Sequence, residues 1–152
     1  MRRASVIALF CSWVVLLAGC GQSDNTVKVV NKSDGTKTVT VTDNKGTQVT
    51  VGGAGASATM PTYAPLFPGS IVETSVTLPN QSGSVAFKTS ASTDIVIAFY
   101  KKSLGAAGFK DTLNMVTGDT TMYTASDEKG AHSVNVVATK SSDGTQVQLG
   151  WN

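Results

Sequence analysis

The chain has 152 residues, with 12 Lys+Arg against 10 Asp+Glu and a formal charge of +2 at pH 7. So even a balance leaves no basic footprint for nucleic acid or anionic lipid. Two cysteines, Cys11 and Cys20, are too few for a disulfide framework.

Met1-Arg2-Arg3 is a short basic start, and Val6 to Leu17 is an apolar run about a dozen residues long. That run is too short to span a bilayer comfortably. With the small residues that follow, it describes a secretory signal, which is set aside from the fold. The signal ends in Leu17-Ala18-Gly19-Cys20, which closely resembles the lipobox of bacterial lipoproteins. The resemblance implies cleavage between Gly19 and Cys20, a lipid on the Cys20 thiol, and no cofactor beyond that covalent lipid. With Gly21 rather than Asp after the cysteine, it implies an outer-membrane protein facing the periplasm in a Gram-negative host. In a Gram-positive host the same anchor holds the protein on the outer face of the single membrane. Two or three acyl chains make such anchoring effectively stable.

Removing residues 1–19 takes away Arg2 and Arg3, the only arginines, and leaves ten basic and ten acidic side chains. It also removes Cys11, so with Cys20 lipidated no disulfide can form. The hydrophobic core alone then has to hold the domain.

Residues 20–26 are small and polar and read as a tether. Val30-Asn-Lys-Ser-Asp-Gly-Thr36 is echoed eleven residues later by Val41-Thr-Asp-Asn-Lys-Gly-Thr47. Each block is a turn signal between Val/Thr alternations, which predicts a three-stranded ribbon over 27–51, with strands near 27–32, 36–42 and 47–51. Val39, Val41, Val49 and Val51 give it one thin apolar face. Such a ribbon is marginal alone. Three fates are open to it: docking on the main domain, pairing with a partner, or staying dynamic.

Residues 52–62 read as a linker, Gly/Ala-rich over 52–59. Tyr63 to Ser70, with Pro65 and Pro68, leads into the main domain and is expected to pack over a sheet edge. From 71 the period is two: Val72, Thr74, Val76 and Leu78 alternate with polar residues, and Val85 and Phe87 continue after a turn at 79–83. After Ser90 the period becomes about 3.6, placing Val96, Phe99, Tyr100, Ser103, Leu104 and Ala107 on one helical face. Ser92 or Thr93 suits the N-cap and Gly108 the stop. Strands follow near 110–117, 120–126, 132–140 and 145–151. The expected fold class is therefore α+β: an antiparallel sheet with one helix on one face, ββαββββ, as a two-layer sandwich over 63–152, preceded by the ribbon and linker.

A second resemblance rests on Tyr63…Leu66-Phe67-Pro68-Gly69-Ser70, Val85-Ala-Phe87-Lys-Thr89 and Phe99-Tyr100…Leu104…Ala107-Gly108-Phe109. This layout is similar to small envelope lipoproteins of uncharacterised function with a "YPGA" entry and an "FY…AG" helix. Phe67 and Ser70 depart mildly from that pattern. The layout is also similar, at the level of fold only, to lipoprotein domains of outer-membrane assembly machinery.

Chemistry is sparse. His132 is the single histidine, too little for a zinc set, and the Asp-Gly and Lys-Gly turns lack the oxygen spacing of a calcium loop. Ser126-Asp-Glu-Lys129 matches Ser-x-x-Lys but runs into a predicted turn, where that chemistry needs a helix start. Asp111, Asp119, Asp127 and Glu128 fall at strand ends or turns, and no Gly-rich loop precedes a helix. The expectation is a non-enzymatic envelope lipoprotein, bound to the membrane through its lipid, that presents its domain to an envelope protein. The alternative is a binder of a small apolar ligand, lipid or peptide, in a groove lined by Phe87, Phe99, Tyr100 and Trp151, with Phe109, Met115 and Met122 nearby. The same residues serve equally as ordinary core.

Overall fold

A computed structural model describes residues 25–31, 37–52 and 59–152. The expected signal peptide, with its cleavage site at Gly19 and Cys20, most of the expected tether, and the Gly/Ala-rich centre of the expected linker lie outside these residues. Nine strands and one helix follow in chain order. They are β1 (Thr26–Asn31), β2 (Lys37–Thr42), β3 (Gln48–Gly52), β4 (Ile71–Thr77), β5 (Gly83–Thr89), α1 (Thr93–Ala106), β6 (Lys110–Thr117), β7 (Thr120–Ser126), β8 (Ser133–Ser141) and β9 (Gly144–Trp151).

All nine strands belong to one sheet in the order β1-β2-β3-β4-β5-β9-β8-β7-β6, and every neighbouring pair is antiparallel. The first five strands meander to the centre. The helix then carries the chain to the far edge at β6, and a second meander returns to seat β9 beside β5. This corrects the expected α+β class. The molecule is β-rich, and the ribbon is no separate body preceding a sandwich. Its β3 pairs with β4 from Gln48↔Thr77 to Val51↔Thr74. The physical reason is the edge of β4: its unpaired N–H and C=O groups template another strand, and the 52–62 segment is long enough to bring β3 there.

The helix is built as its sequence requires. Ser92 at the N-cap is extended but makes no side-chain capping bond, and Asp94 stands in the first turn, where the dipole favours it. At the C-terminus Gly108 adopts φ +85°. The Phe109 N–H donates to the Leu104 carbonyl at 2.9 Å and the Gly108 N–H to Gly105 at 3.1 Å. That double bond pattern is a Schellman stop, which needs a residue free of the Cβ penalty at φ > 0.

The core lies between α1 and one face of β5–β9. Val85, Phe87, Val147, Leu149, Val134, Val136, Ala138, Tyr123 and Ala125 point to it from the strands, and Val96, Tyr100 and Leu104 from the helix. Alpha-helical contacts run to β6, β7 and β8. Next to the helix, the chain from Met60 to Phe67 forms an irregular strap. Ala64 is fully buried, and Met60, Tyr63, Leu66 and Phe67 pack against the core.

The predicted alternation of Val72, Thr74, Val76 and Leu78 on one face is also corrected. A bulge between Val72 and Thr74 shifts the register, so Val72 pairs with Phe87 while Val76 pairs with Ser84. One extra residue reverses the facing of everything beyond it. Val72 is buried beneath the helical layer, whereas Val76 points to the opposite face. The bulged residue, Glu73, is tied to Lys88 at 2.6 Å.

Candidate functional site

Phe87, Tyr100 and Trp151, three of the predicted groove residues, lie on the helix-covered side of the sheet, and Phe99 belongs to the helix above it. Phe87 and Tyr100 are fully buried, Trp151 is 5% exposed, and Phe99 is half-buried. Phe99 meets Tyr100 edge-on with ring centres 5.1 Å apart, and meets Phe67 of the strap at 5.1 Å. Phe109 packs on Tyr63 of the strap at 4.9 Å. Tilted and edge-on pairs of this kind add to simple area burial.

Trp151 sits apart from this cluster. Its indole N–H donates to the Gln81 carbonyl at 2.7 Å, and its ring fills the space above Gly83, where a Cβ would strike it. Met115 and Met122 do not join the groove. They are cross-strand partners with Val137 in the same row, on the sheet face turned away from α1. Strict alternation from the buried Tyr123 requires this.

Side chains fill the interior, with one polar irregularity. Among the described residues, the Tyr100 hydroxyl and Ser70 Oγ are buried without a hydrogen-bond partner. Both flank Phe67 of the strap: the Ser70 N–H donates to the Phe67 carbonyl at 3.2 Å. Burial drives the Tyr100 phenol well above its usual range, opposed by the approach of the Phe67 backbone to its oxygen, which leaves the hydroxyl's own proton without an acceptor. An unpaired hydroxyl in such surroundings costs about 1–3 kcal/mol. Across the strap's length, Ser103 Oγ donating to the Tyr63 carbonyl at 3.1 Å is its side-chain hydrogen bond to the helix.

Clefts lie at both ends of the helix and, with about 290 Å³, on the sheet beside Ala86, Val137 and Gln148. Two of about 320 and 430 Å³ meet at Ser90, Ser141 and Thr145, beside the start of α1. They are lined mainly by hydroxyls. Thr145 Oγ1 already donates to the Ala91 carbonyl at 2.7 Å. At the other end, a cleft of about 230 Å³ is bordered by Pro61, Tyr63, Gln81 and His132.

The remaining candidates stand in turns or on the surface. Ser126 ends β7 and Lys129 is exposed in the following turn, so the two do not share a helical turn. His132 is half-exposed, with Nδ1 3.7 Å from Asp127 Oδ2. Asp111 does more than its strand-end position suggested: it accepts from the Tyr123 hydroxyl at 2.6 Å across the β6–β7 pair. Burial first, then this bond and the carboxylate charge, hold the Tyr123 phenol above its usual range. Lys101 stands 5.5 Å over the same ring, within reach of a cation–π contact. The described residues contain no group of three or more His, Cys, Asp or Glu placed to hold a metal.

Residues 71–146, half of the chain, match the family model described as START domain-like. The chain belongs to the START domain-like family. No curated protein and no solved structure matches it. The matched span of this START-like domain begins at β4 and ends in β9. It contains α1 and the strands beneath it, and omits β1–β3 and the strap. Sequence reasoning named the aromatic cluster but not the unpartnered Tyr100 and Ser70 hydroxyls. The signal available for Tyr100 was a tyrosine at an inward helical position, where phenylalanine would pack without a polar atom to satisfy.

Proposed function

We propose that the chain is an exported lipoprotein, anchored through Cys20, whose START-like domain binds a small, largely apolar molecule without catalysing a reaction on it. The observation that carries this reading is the buried Tyr100 hydroxyl left unpaired beneath the strap. A ligand with an apolar body and one acceptor oxygen, such as a fatty acid or a lysolipid, would supply the missing partner while its body replaces strap aromatics against Phe99. Family membership supports the same class of function. The sequence resemblance at Cys20 supplies the anchor.

Native mass spectrometry of the lipidated protein, gently extracted from its own membrane, tests this directly. A monomer carrying an additional small mass beyond the acylated Cys20 is expected, with that mass depleted in Tyr100→Phe. A bare monomer whose melting temperature does not move with added oleic acid or lysophosphatidylcholine overturns it. A stoichiometric protein companion would favour instead the presentation of the domain to an envelope partner.

A further inference from the structure

The cleft of about 230 Å³ at the far end of α1 is built unlike the apolar interior. Pro61, Tyr63, Asn80, Gln81, His132 and Asn152 line it. They converge from the strap, the β4–β5 turn, the β7–β8 turn and the position after β9. The lining is three primary amides, an imidazole, a proline and a half-buried tyrosine, with no Lys, Arg, Asp or Glu. Asp127 stands beside His132, its Oδ2 3.7 Å from Nδ1.

The amides are held in place. Asn80 Oδ1 accepts the Ser82 hydroxyl at 2.6 Å and the Ser82 N–H at 3.3 Å. Asn152 Oδ1 accepts the Ser133 N–H at 2.7 Å and the Ser133 hydroxyl at 2.8 Å. With these oxygens committed, each side chain has its Nδ2 protons left to offer. Gln81 is more telling. The loop Pro79–Gln81 is closed by the Gln81 N–H to the Leu78 carbonyl at 3.0 Å and the Leu78 N–H to the Ser82 carbonyl at 2.8 Å. A three-residue loop of this type takes glycine at its left-handed last position. Here that position is Gln81 at φ +67°, the one non-glycine residue with positive φ among those described. A glycine would reach this conformation without steric cost. It would also still offer its carbonyl to the Trp151 indole, the bond Gln81 makes at 2.7 Å. What glutamine adds is a carboxamide on the cleft wall, and strained non-glycine positions gather at ligand sites.

We propose that this cleft binds a neutral sugar, one pyranose ring of a free saccharide or of a glycan. Amides and an imidazole both donate and accept, which matches a ligand edged with hydroxyls. The Tyr63 ring offers an apolar wall to the ligand's C–H side. The lining brings no fixed counter-charge for a phosphate, a carboxylate or a metal ion. Its volume lies below the roughly 300 Å³ at which pockets for drug-sized molecules begin, on the scale of a single ring. Asn80, Gln81, His132 and Asn152 are exposed, so binding is weak, with a Kd on the order of 1–10 mM. Phe67, Phe99 and Tyr100 do not line this cleft, so the sugar site stands independently of the apolar ligand.

The test titrates the full isotope-labelled chain, in a detergent without a sugar headgroup, with glucose, mannose, galactose and N-acetylglucosamine. The readout is the side-chain amide signals of Asn80, Gln81 and Asn152 and the Trp151 indole N–H. At least one sugar is expected to move them saturably, while the Ser90 and Thr145 amides, at the opposite end of α1, stay still. Gln81→Gly keeps the turn and removes the carboxamide, so its melting temperature should hold or rise while binding weakens roughly tenfold or more. His132→Ala changes an exposed side chain in a different turn and should weaken the same sugar without touching the β4–β5 loop. A linear trisaccharide of the bound sugar separates the two sources. Binding roughly tenfold tighter than the monosaccharide assigns the cleft to a ring within a glycan, and equal binding assigns it to a free sugar or a chain end. The proposal is overturned by the absence of a saturable shift at roughly tenfold above the expected Kd, by shifts confined to residues away from the cleft, or by undiminished binding in both variants.

Discussion

The two halves of the sheet are made of similar strands and differ in what covers them. Strands β5, β9, β8 and β7 bury one face under α1 and the strap, with Phe87, Tyr100, Leu104, Tyr123 and Leu149 fully enclosed, while the edge strand β6 is exposed throughout. Strands β1–β3 bury less: among their described side chains Thr50 alone is fully buried, β2 is half-buried from Thr38 to Thr42, and every residue of β1 is exposed. Valine content does not separate the halves. What separates them is the bulge at Glu73, which points the ribbon's valines away from the helical layer. A β-branched residue contributes through what packs on it, so identical residues should have unequal value on the two sides.

The largest contrast comes from truncating apolar side chains. Phe87→Ala should cost about 3–5 kcal/mol, whereas Val29→Ala should stay within about 0.5 kcal/mol, both read by chemical denaturation. A large loss at Val29 would mean the ribbon face is already covered. A chain trimmed to begin near Thr59 should likewise unfold cooperatively, with stability closer to that of the full chain than Phe87→Ala shows.

Next in size is Gly144→Ala at the β8–β9 turn. Gly144 has φ +132°, and a Cβ there would run into the Thr89 carbonyl. The expected loss is about 1–3 kcal/mol. It should be accompanied by displacement of Thr145 from Ala91, visible in the amide spectra of β5 and β9. A neutral outcome would mean that this turn is loose in solution.

The contrast between halves was partly written in the sequence. The turn blocks at 30–36 and 41–47 and the switch to helical period after Ser90 are local signals, and local signals mark elements well. The bulge was not legible, because Ile71-Val72-Glu73-Thr74-Ser75-Val76 reads as plain alternation and only pairing with β5 reveals the extra residue. For the same reason Met115 and Met122 were assigned to the interior: their facing depends on register, which is a tertiary property. The attachment of β3 to β4 was equally hidden, since a strand edge does not name its partner. At the site, Phe99 and Tyr100 were legible as neighbours, and the separation of Trp151 from them was not. Nor was the unpaired Tyr100 hydroxyl, because an absent partner is a fact of packing.

A smaller effect probes that hydroxyl. Tyr100→Phe removes a buried donor that has no partner, so the unliganded protein should gain up to about 1 kcal/mol, against the usual loss on deleting a hydrogen-bonded phenol. Tyr123→Phe is the matched comparison, because its hydroxyl bonds Asp111 and its removal should cost about 1 kcal/mol or somewhat more. Opposite signs for the two tyrosines would locate the irregularity beneath the strap. Equal losses would mean that Tyr100 is satisfied in solution.

The gentlest test uses acid, because both halves carry the same turn device. Asp43 Oδ1 accepts the Lys45 and Thr47 amides at 2.9 and 2.8 Å in the β2–β3 turn. Asp127 Oδ1 accepts the Ala131 amide at 2.8 Å in the β7–β8 turn. Desolvation raises both carboxyls, but the backbone hydrogen bonds outweigh it and leave each below the ordinary aspartate range. A depressed folded-state value stabilises above the unfolded pKa of about 3.9, and that contribution is lost as pH falls through the folded value. Acidification from about pH 4 downward should therefore loosen both turns. Only the ribbon should open, because β7–β8 is held by Tyr123, Val134 and Val136 whereas β2–β3 has no such core. Amide resonances of Thr47 and Val49 should move at higher pH than those of Val134 and Val136, and Asp43→Asn should abolish the ribbon's step while sparing the other. A single transition shared by all four amides would show that the pairing of β3 with β4 couples the ribbon fully to the covered half.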